Sequence, residues 1–463
     1  MIEVSVSWLA KVSRGRLAYS KGPKLISGIS TDSRNIKEGE CFVALRGKNF
    51  DGHNFVKECL SKKVTTFVVE DAFFNSNTNL FESANAIVVK DTYRALMDIG
   101  SAYRNDFVPD KKIIAITGSS GKTTTKYIIA QLLSYKYKVE FSPKSYNNNV
   151  GVPLSILKIN EDTDIGVLEV GMNRKGEIRK LSKIIMPDVG IITNIGYAHI
   201  EFLKTVRNIA LAKSELFEGI RQGGVVFLNK NSRYLDVLEV NAKRFQLDIH
   251  YFDVKEARVI QNRGIDGVVF EYDDVEFDTS VPGTHNIENL VCAFEIAKFF
   301  GIKISDLVSI VKNLSLPEMR NNVIRGWFTV IDDSYNANPD SMMMALDLLD
   351  SAKSKGKKIA VLGDMLELGE HSQKLHLQVA DHILNKNIDY ILCYGENFSL
   401  VHDYLIEKGM DKNNVISTSS INEIADILGY LVKEGDIVLV KGSRGMRLNE
   451  IASFLENKMK ENV

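Results

Sequence analysis

Apolar residues in this chain come mostly in short unbroken runs, and the runs alternate with stretches of helical spacing. Residues 113–116 form one such run. After a Gly/Ser break come Tyr127, Ile128, Ile129, Leu132 and Leu133, which share one helical face. A run that is apolar at every position predicts a strand buried on both faces, as in a parallel sheet. The same rhythm predicts strands at 138–141, 165–170, 189–194 and 224–228, the last completing that sheet. Residues 247–281 predict a small hairpin region, and a helix follows over 290–299. Upstream, strand-like runs at 41–45, 66–69 and 86–89 alternate with helical stretches at 55–62 and 92–103. Downstream, runs at 327–331, 358–362, 390–394 and 436–440 alternate with helical patterns at 341–351, 371–384, 398–407 and 448–458. This β–α alternation predicts α/β units with helices on both faces of parallel sheets. The charged, Pro-containing stretch 106–112 reads as a linker, and Pro317-Glu-Met-Arg320 as a second boundary. Three domains are therefore expected, at 1–107, 108–316 and 317–463.

The length of 463 residues suits three domains at the usual ~150 residues each. A net charge of −1 gives no reason to expect nucleic acid or an anionic membrane as partner. No apolar run approaches the ~20 residues that a bilayer span needs, so no integral membrane segment is expected. The start, Met1 to Trp8, lacks a basic region followed by an apolar core and does not read as a secretion signal. Cys41, Cys59, Cys292 and Cys393 lie far apart with no C-x-x-C pair, which suits reduced thiols in a cytoplasmic protein. The eight histidines show no zinc spacing.

The segment Gly118-Ser-Ser-Gly-Lys-Thr-Thr124 changes the picture. Strand, glycine-rich turn, Lys, Thr and helix together form a phosphate-binding arrangement. Backbone N–H groups from Gly118, Ser119, Ser120 and Gly121 can close around phosphate oxygens, and the helix N-terminus adds partial positive charge. Lys122 would meet the terminal phosphates, and Thr123 would offer its hydroxyl to a phosphate-bound magnesium ion. The longer form of the motif wants glycine at 116, where this chain has Ile116. Glu169 closes an otherwise apolar strand, so it either binds a cation or is paired. His199 follows a strand end and is either structural or part of the site. Lys213 sits near apolar helical positions and, on spacing alone, reads as a lysine snorkelling from a buried stem. Asn286 and Asn289 are three apart on one helical face, as helix-start polar residues or as readers of a base. The loops 31–34 and 46–53, with Ser33, Arg34, Arg46 and Gly47, carry either turn chemistry or a binding site. Three polar clusters follow strand ends in the last unit, at 332–339, 363–369 and 441–444, and suggest a functional rim.

The shortened phosphate loop 117–124, Glu169, the Thr193-Asn to His199 segment, Lys213 in Ala212-Lys-Ser-Glu-Leu-Phe217, and His285-Asn-Ile-Glu-Asn289 together resemble the Mur ligases of peptidoglycan precursor synthesis. The resemblance runs along essentially the whole chain. It implies a small N-terminal α/β domain for a UDP-sugar, a central ATP-binding domain, and a Rossmann-like C-terminal domain. The three C-terminal clusters resemble the branch that adds D-alanyl-D-alanine to a UDP-N-acetylmuramoyl-tripeptide. The D-N-P-R tetrapeptide of the diaminopimelate- or lysine-adding branch is absent. The implied reaction is ATP-dependent amide formation through an acyl phosphate. Its alternatives are tripeptide formation, folylpolyglutamate synthesis, or a nucleotide-binding module without ligase chemistry.

By the same resemblance, ATP would be held by Gly118 to Thr124, with Asn286 and Asn289 at adenine, Asp333 at ribose and Arg320 at phosphate. Magnesium would be held by Thr123, Glu169, His199 and a carbamylated Lys213. Catalytic roles would fall to Lys122, Lys213, His199 and Arg320. Ser33, Arg34, Arg46, Gly47 and Asn148 would hold the UDP-muramoyl peptide, and Asn336 and Asn338 would face the dipeptide. Where the family often has a Gly-Arg pair, this chain has Met319-Arg320. A monomer is expected, with domains that close on bound substrates.

Overall fold

The computed structural model describes residues 1–47, 50–316 and 319–461. Lys48 and Asn49 of the polar loop, and Pro317 and Glu318 of the second boundary, lie outside the described residues, as do Asn462 and Val463. Three large sheets follow one another along the chain.

The first sheet has the strand order Arg16–Ser20, Asn85–Val89, Thr66–Glu70, Glu40–Val43, Gly28–Ser30. Only Arg16–Ser20 runs antiparallel to its neighbour. This edge strand and Gly28–Ser30 lack continuous apolar runs, which is why hydrophobic spacing did not flag them. Gly28–Ser30 and Glu40–Val43 are parallel neighbours, so the loops that follow them, with Ser33–Arg34 and Arg46–Gly47, emerge at the same sheet edge. The helix Thr92–Asp106 starts on an Asp91 cap, whose side chain accepts from the Arg94 N–H. It packs against helices Gly151–Ile156 and Glu177–Ile185 of the next unit. Its fully buried Arg104 donates to the carbonyls of Ile185 (3.0 Å) and Lys111 (3.2 Å). The first two units are thereby stitched through carbonyl oxygens that would otherwise be unpaired.

The central sheet has six strands, all parallel: Asp248–Phe252, Val225–Asn229, Val189–Ile192, Lys112–Thr117, Ile165–Glu169, Val139–Phe141. The expectation that 224–228 completes this sheet is corrected here. Asp248–Phe252 adds a sixth strand beside Val225–Asn229. Its alternating, partly exposed pattern at the sheet edge resembles a hairpin strand in sequence. The antiparallel part of 247–281 is the meander Arg258–Asn262, Val268–Tyr272, Val275–Thr279. Lys112–Thr117 is the point where strand order reverses. Ile165–Glu169 and Val189–Ile192 flank it on either side, so the loops after 117, 169 and 192 open into one crevice. Ile116 is fully buried and lies in register between Glu169 and Ile191. The chain is still an extended strand there, so position 116 needs an apolar side chain and not a glycine.

The third sheet runs Asn322–Arg325, Thr329–Asp332, Ile437–Lys441, Lys358–Gly363, Tyr390–Tyr394, Val415–Thr418, and only the first strand is antiparallel. Asn322–Arg325, Val415–Thr418 and the helix Ile421–Leu431 add to the expected elements; both added strands are short edges. The three polar clusters leave the C-terminal ends of the adjacent strands Thr329–Asp332, Ile437–Lys441 and Lys358–Gly363. Among the described residues no helix is long and apolar enough to cross a membrane.

Shortening Ile116 to alanine should cost about 2–5 kcal/mol of stability, the usual cost of a buried large-to-small change. Denaturant unfolding would measure this; a neutral substitution would show that the strand-to-loop junction tolerates a cavity.

Candidate active site

The loops of the central and third sheets face each other across a shared cleft. The phosphate loop forms one wall. Gly121 takes φ +79 at the N-cap of the helix Lys122–Leu133, a left-handed conformation that suits glycine. A Cβ on Gly121 would come 2.6 Å from Asn289 Oδ1. The loop is fixed from beneath by the next strand's loop. Asn194 Oδ1 accepts from the Ser120 N–H (2.9 Å), and Thr193 Oγ1 donates to the Ser120 carbonyl (2.6 Å). The Gly118 carbonyl accepts from two lysines, Lys122 Nζ at 2.9 Å and Lys213 Nζ at 2.8 Å.

Lys213 does not snorkel. Its side chain is buried and its amine lies under the phosphate loop, which corrects the reading from helical spacing. Burial, with Lys122 nearby, holds its pKa well below the usual lysine value. Burial also lowers the Lys122 pKa, against the pull of Glu169.

Glu169 is fully buried at its strand end and is held from three sides. Thr123 Oγ1 donates to it at 2.8 Å, Asn147 Nδ2 donates at 2.8 Å, and Lys126 Nζ lies 3.5 Å away. Burial alone would push its carboxyl up, but Lys126, Lys122 and Arg320 together hold it below the usual range. Lys126, itself fully buried, is pushed down to about 8 by burial and remains charged at neutral pH. Thr123 and Glu169 offer adjacent oxygen donors to a divalent cation. Among the described residues no three His, Cys, Asp or Glu side chains cluster into a metal cage. A cation here would take further ligands from phosphate and water, the usual habit of magnesium.

The opposite wall comes from the third unit. Arg320 stacks on Tyr335, 4.3 Å from guanidinium to ring centre, and its Nη2 lies 3.4 Å from Ser145 Oγ. Met319 and Asn321 on either side have φ of +59° and +49°. The family's usual glycine at 319 fits that left-handed backbone; here methionine adopts it. Asp333 pairs with the buried Lys441 and accepts from the Asn321 N–H at 3.2 Å. Lys441 also donates to the Asn336 carbonyl at 3.1 Å. Asn338 caps the helix Pro339–Ser351 through a reciprocal bond pair with Ser341. Its Nδ2 reaches across to Ser120 Oγ at 3.1 Å. Asn286 is the first helical residue and His285 the N-cap, so Asn286 is not the cap itself. Asn289 donates to Asn286 Oδ1 (2.9 Å) and accepts from Thr125 (3.0 Å).

The cleft thus gathers the loop from Ser119 to Thr124 with Glu169, His199, Asn286, Asn289, Arg320, Asp333, Asn336 and Asn338. Lys213 lies directly beneath it. Ser33, Arg34, Arg46 and Gly47 are not in it; they stand at the edge of the first sheet. Arg34 is held by Asp32 and lies within electrostatic reach of Tyr146, and Arg46 pairs with Asp51. Asn148 does not line the cleft; its side-chain oxygen accepts from the N–H groups of Val150 and Gly151. Its neighbour Asn147 lines the cleft instead. Sequence reasoning passed over Lys126, one turn beyond Lys122, and gave no individual role to Asn194, Tyr335, Lys441 and Glu367, which it included only within the segment 193–199 and the three polar clusters. A lysine four residues after the loop lysine was the one spacing signal for Lys126.

A parallel-sheet phosphate loop, facing a cationic and amide-rich rim on a second sheet, defines an ATP-dependent ligase. Models of the Mur ligase middle domain, the Mur ligase glutamate ligase domain and the Mur ligase family catalytic domain match residues 116–297, 319–444 and 25–104. The chain belongs to the Mur ligase family. It is 32% identical over 461 residues to the UDP-N-acetylmuramoyl-tripeptide–D-alanyl-D-alanine ligase of Bacillus subtilis, covering 98% of this chain and 99% of that one. Among solved structures, MurF from Acinetobacter baumannii superposes with a TM-score of 0.83 at 26% identity, covering 98% and 99% of the two chains. MurF ligase from Thermotoga maritima in complex with ADP gives 0.76 at 26% identity, covering 94% and 98%.

Replacing Lys126 with methionine should destabilise the fold by about 3–5 kcal/mol, because it strands a buried carboxylate. The depressed Glu169 carboxyl contributes stability above the unfolded carboxylate range, and that contribution is lost as pH falls. The variant should therefore also show a weaker loss of stability on acidification. Urea unfolding at pH 7 and in the acid range would measure both; an unchanged pH 7 value would mean that Glu169 is not held by Lys126.

Proposed function

We infer that the chain joins the amine of D-alanyl-D-alanine to the terminal carboxylate of a UDP-N-acetylmuramoyl-tripeptide, with ATP cleaved to ADP and phosphate. The observation that carries this reading is the shared cleft. One sheet's phosphate loop and another's polar rim line a single space, in a chain similar end to end to enzymes of that name.

The substrate carboxylate attacks the γ-phosphorus, the bond to ADP breaks, and an acyl phosphate forms. The dipeptide amine then attacks the acyl carbon. The amide bond forms, phosphate leaves, and the amine loses its proton. Phosphoryl transfer depends chiefly on positioning and charge neutralisation. The loop N–H groups and the helix start at Lys122 cradle the phosphates. Lys122 and Arg320 offset their charge while the carboxylate approaches. Asn286 and Asn289 face the base, Asp333 the ribose, and Asn336 and Asn338 the dipeptide. Ser33, Arg34, Arg46 and Gly47 hold the UDP part, and Asn148 shapes the loop between the two sites.

The donor set beside the phosphate loop fits magnesium. Thr123, Glu169, His199 and a carbamylated Lys213 would hold it. When bound, it supplies charge neutralisation along the triphosphate. Burial of Lys213 holds its pKa down, which favours carbamylation: the unprotonated amine attacks carbon dioxide, a proton leaves, and a carbamate anion forms. The reaction belongs in the cytoplasm, in keeping with four buried, unpaired cysteines.

Phosphate release should require ATP, the UDP-tripeptide and D-alanyl-D-alanine together, with single amino acids inert as acceptors. Turnover with a single amino acid in place of the dipeptide would sink the assignment. Lys122→Ala should lower kcat by at least about 10²–10³-fold, the scale of losing one preorganised charge-stabilising donor. A smaller loss would remove Lys122 from the phosphate-transfer step.

A further inference from the structure

The loop after Lys358–Gly363 is clamped nearly residue by residue. The Asp364 carboxylate accepts from the N–H groups of Phe398 (2.8 Å) and Asn397 (3.1 Å). The Met365 N–H donates to the buried His376 Nε2 at 3.0 Å, and the Leu366 N–H donates to Ser443 Oγ at 2.8 Å. Gly369 takes φ +53 against Glu201, where a Cβ would lie 3.0 Å from the Glu201 Cγ. Glu367 points away from this scaffold and into the central unit. Its carboxylate lies 2.6 Å from His199 Nδ1, and its carbonyl accepts from the Glu201 N–H at 3.0 Å.

His199 and Glu367 both have left-handed backbone, φ +65 and +63. Neither is glycine, so contacts across the two units must hold both conformations. A third bond lies beside these two, where His371 Nε2 is 3.2 Å from the Lys204 carbonyl. His199 lines the cleft, and no group among the described residues engages its Nε2.

We propose that Glu367 is a positioning residue for His199. Its carboxylate accepts the Nδ1 hydrogen and fixes the tautomer in which Nε2 carries the lone pair. It does so only while the central and third units are docked. A carboxylate behind a ligating imidazole orients the ring and raises its basicity. Docking of the two units and completion of the cation seat are then one event. Glu367 has this role only if His199 faces a phosphate-bound divalent cation, as proposed above.

Two readouts on the full-length enzyme test this. In 15N-histidine-labelled protein without metal, His199 should be the Nδ1–H tautomer, and Glu367→Ala should lose that single form. With manganese as probe and a non-hydrolysable ATP analogue, electron paramagnetic resonance should show manganese held about 10–100-fold more weakly by Glu367→Ala. Glu367→Gln keeps an oxygen that can accept the hydrogen, so it should lose less. All three proteins should unfold at closely similar temperatures. Equal manganese affinity in wild type and Glu367→Ala, or an Nε2–H tautomer in the wild type, would overturn the proposal while leaving the ligase reading intact. If Glu367→Ala does not fold, Glu367→Gln decides: a several-fold weaker manganese site supports the role, and an unchanged one overturns it. Wild-type enzyme that binds the analogue but no manganese would remove the cation seat itself, and this proposal with it.

Discussion

A carboxylate cannot be buried without an answer to its charge, and Glu169 is where this fold supplies the answer. It sits fully buried at a strand end. Thr123 reaches it from the phosphate-loop helix, Asn147 from the neighbouring loop, and Lys126 from one turn further along that helix. These contacts tie two segments, the phosphate-loop helix and the loop 142–150, to one pair of oxygens. The register of the central sheet, the entry of the helix and the path of the loop 142–150 all depend on satisfying it. The negative charge also draws cations. Lys122 and Arg320 both act on it electrostatically, although they come from different units. A single buried charge thus organises the wall of the cleft that phosphate would meet.

The second constraint is the contact between the central and third units. Asn338 bonds Ser120, Asn321 bonds His285, and Arg233 forms a two-point pair with Asp340. These contacts are mostly polar, single-layered and partly exposed. Exposed pairs of this kind contribute little each, about 0–1 kcal/mol. Buried apolar side chains of both units, among them Ile200, Leu203, Met365 and Leu368, also belong to one continuous core, so the polar pairs orient a junction that apolar packing holds. The first and central units differ. There the buried Arg104 of the first unit spends its donors on main-chain carbonyls of the central unit, and the join is part of the interior.

How much of this was legible in sequence follows from which forces leave local marks. The strands buried on both faces, such as Lys112–Thr117 and Ile165–Glu169, announced themselves as unbroken apolar runs. Asp248–Phe252 did not, because an edge strand is buried on one side only and alternates like a hairpin. Val415–Thr418 is short and also at an edge. In the cleft, the phosphate loop was visible because its glycines and lysine act on one ligand within a few residues. Lys126 looked like any helical lysine, since its partner Glu169 is 43 positions away in sequence and adjacent only through the sheet. Glu367 was visible only as part of a polar cluster; its partner His199 belongs to another unit. Asn147 and Asn148 look alike in sequence, and only Asn147 lines the cleft; no local rule separates two adjacent asparagines. The departures at 116 and 319 look alike in sequence, since both replace an expected glycine. In space they differ: Ile116 fills a core position in an extended strand, whereas Met319 takes the left-handed backbone a glycine would have taken freely.

The third sheet shows why one polar rim takes part in binding without making a phosphate seat of its own. Doubly wound sheets seat anions where a helix N-terminus meets the C-terminal edge of the strands. Here the helix Glu396–Glu407 begins at that edge, and its first free N–H groups are already taken by Asp364. A Cβ on Gly395 would fall 2.5 Å from the Asp364 Cγ, so the carboxylate fills the space a phosphate would need. The helix Pro339–Ser351 is closed likewise, by Asn338 and Ser341. With these two helix starts satisfied internally, the edge there keeps its side chains for other work. Lys441 holds Asp333, Ser443 holds the loop of Leu366, and Glu367 is carried to His199. The same architecture thus occurs twice in one chain with opposite treatment of its helix N-termini. The central sheet leaves its helix start open behind Gly121, whereas the third sheet fills the start of Glu396–Glu407 with a carboxylate, so an anion finds an open helix N-terminus at the first and a closed one at the second.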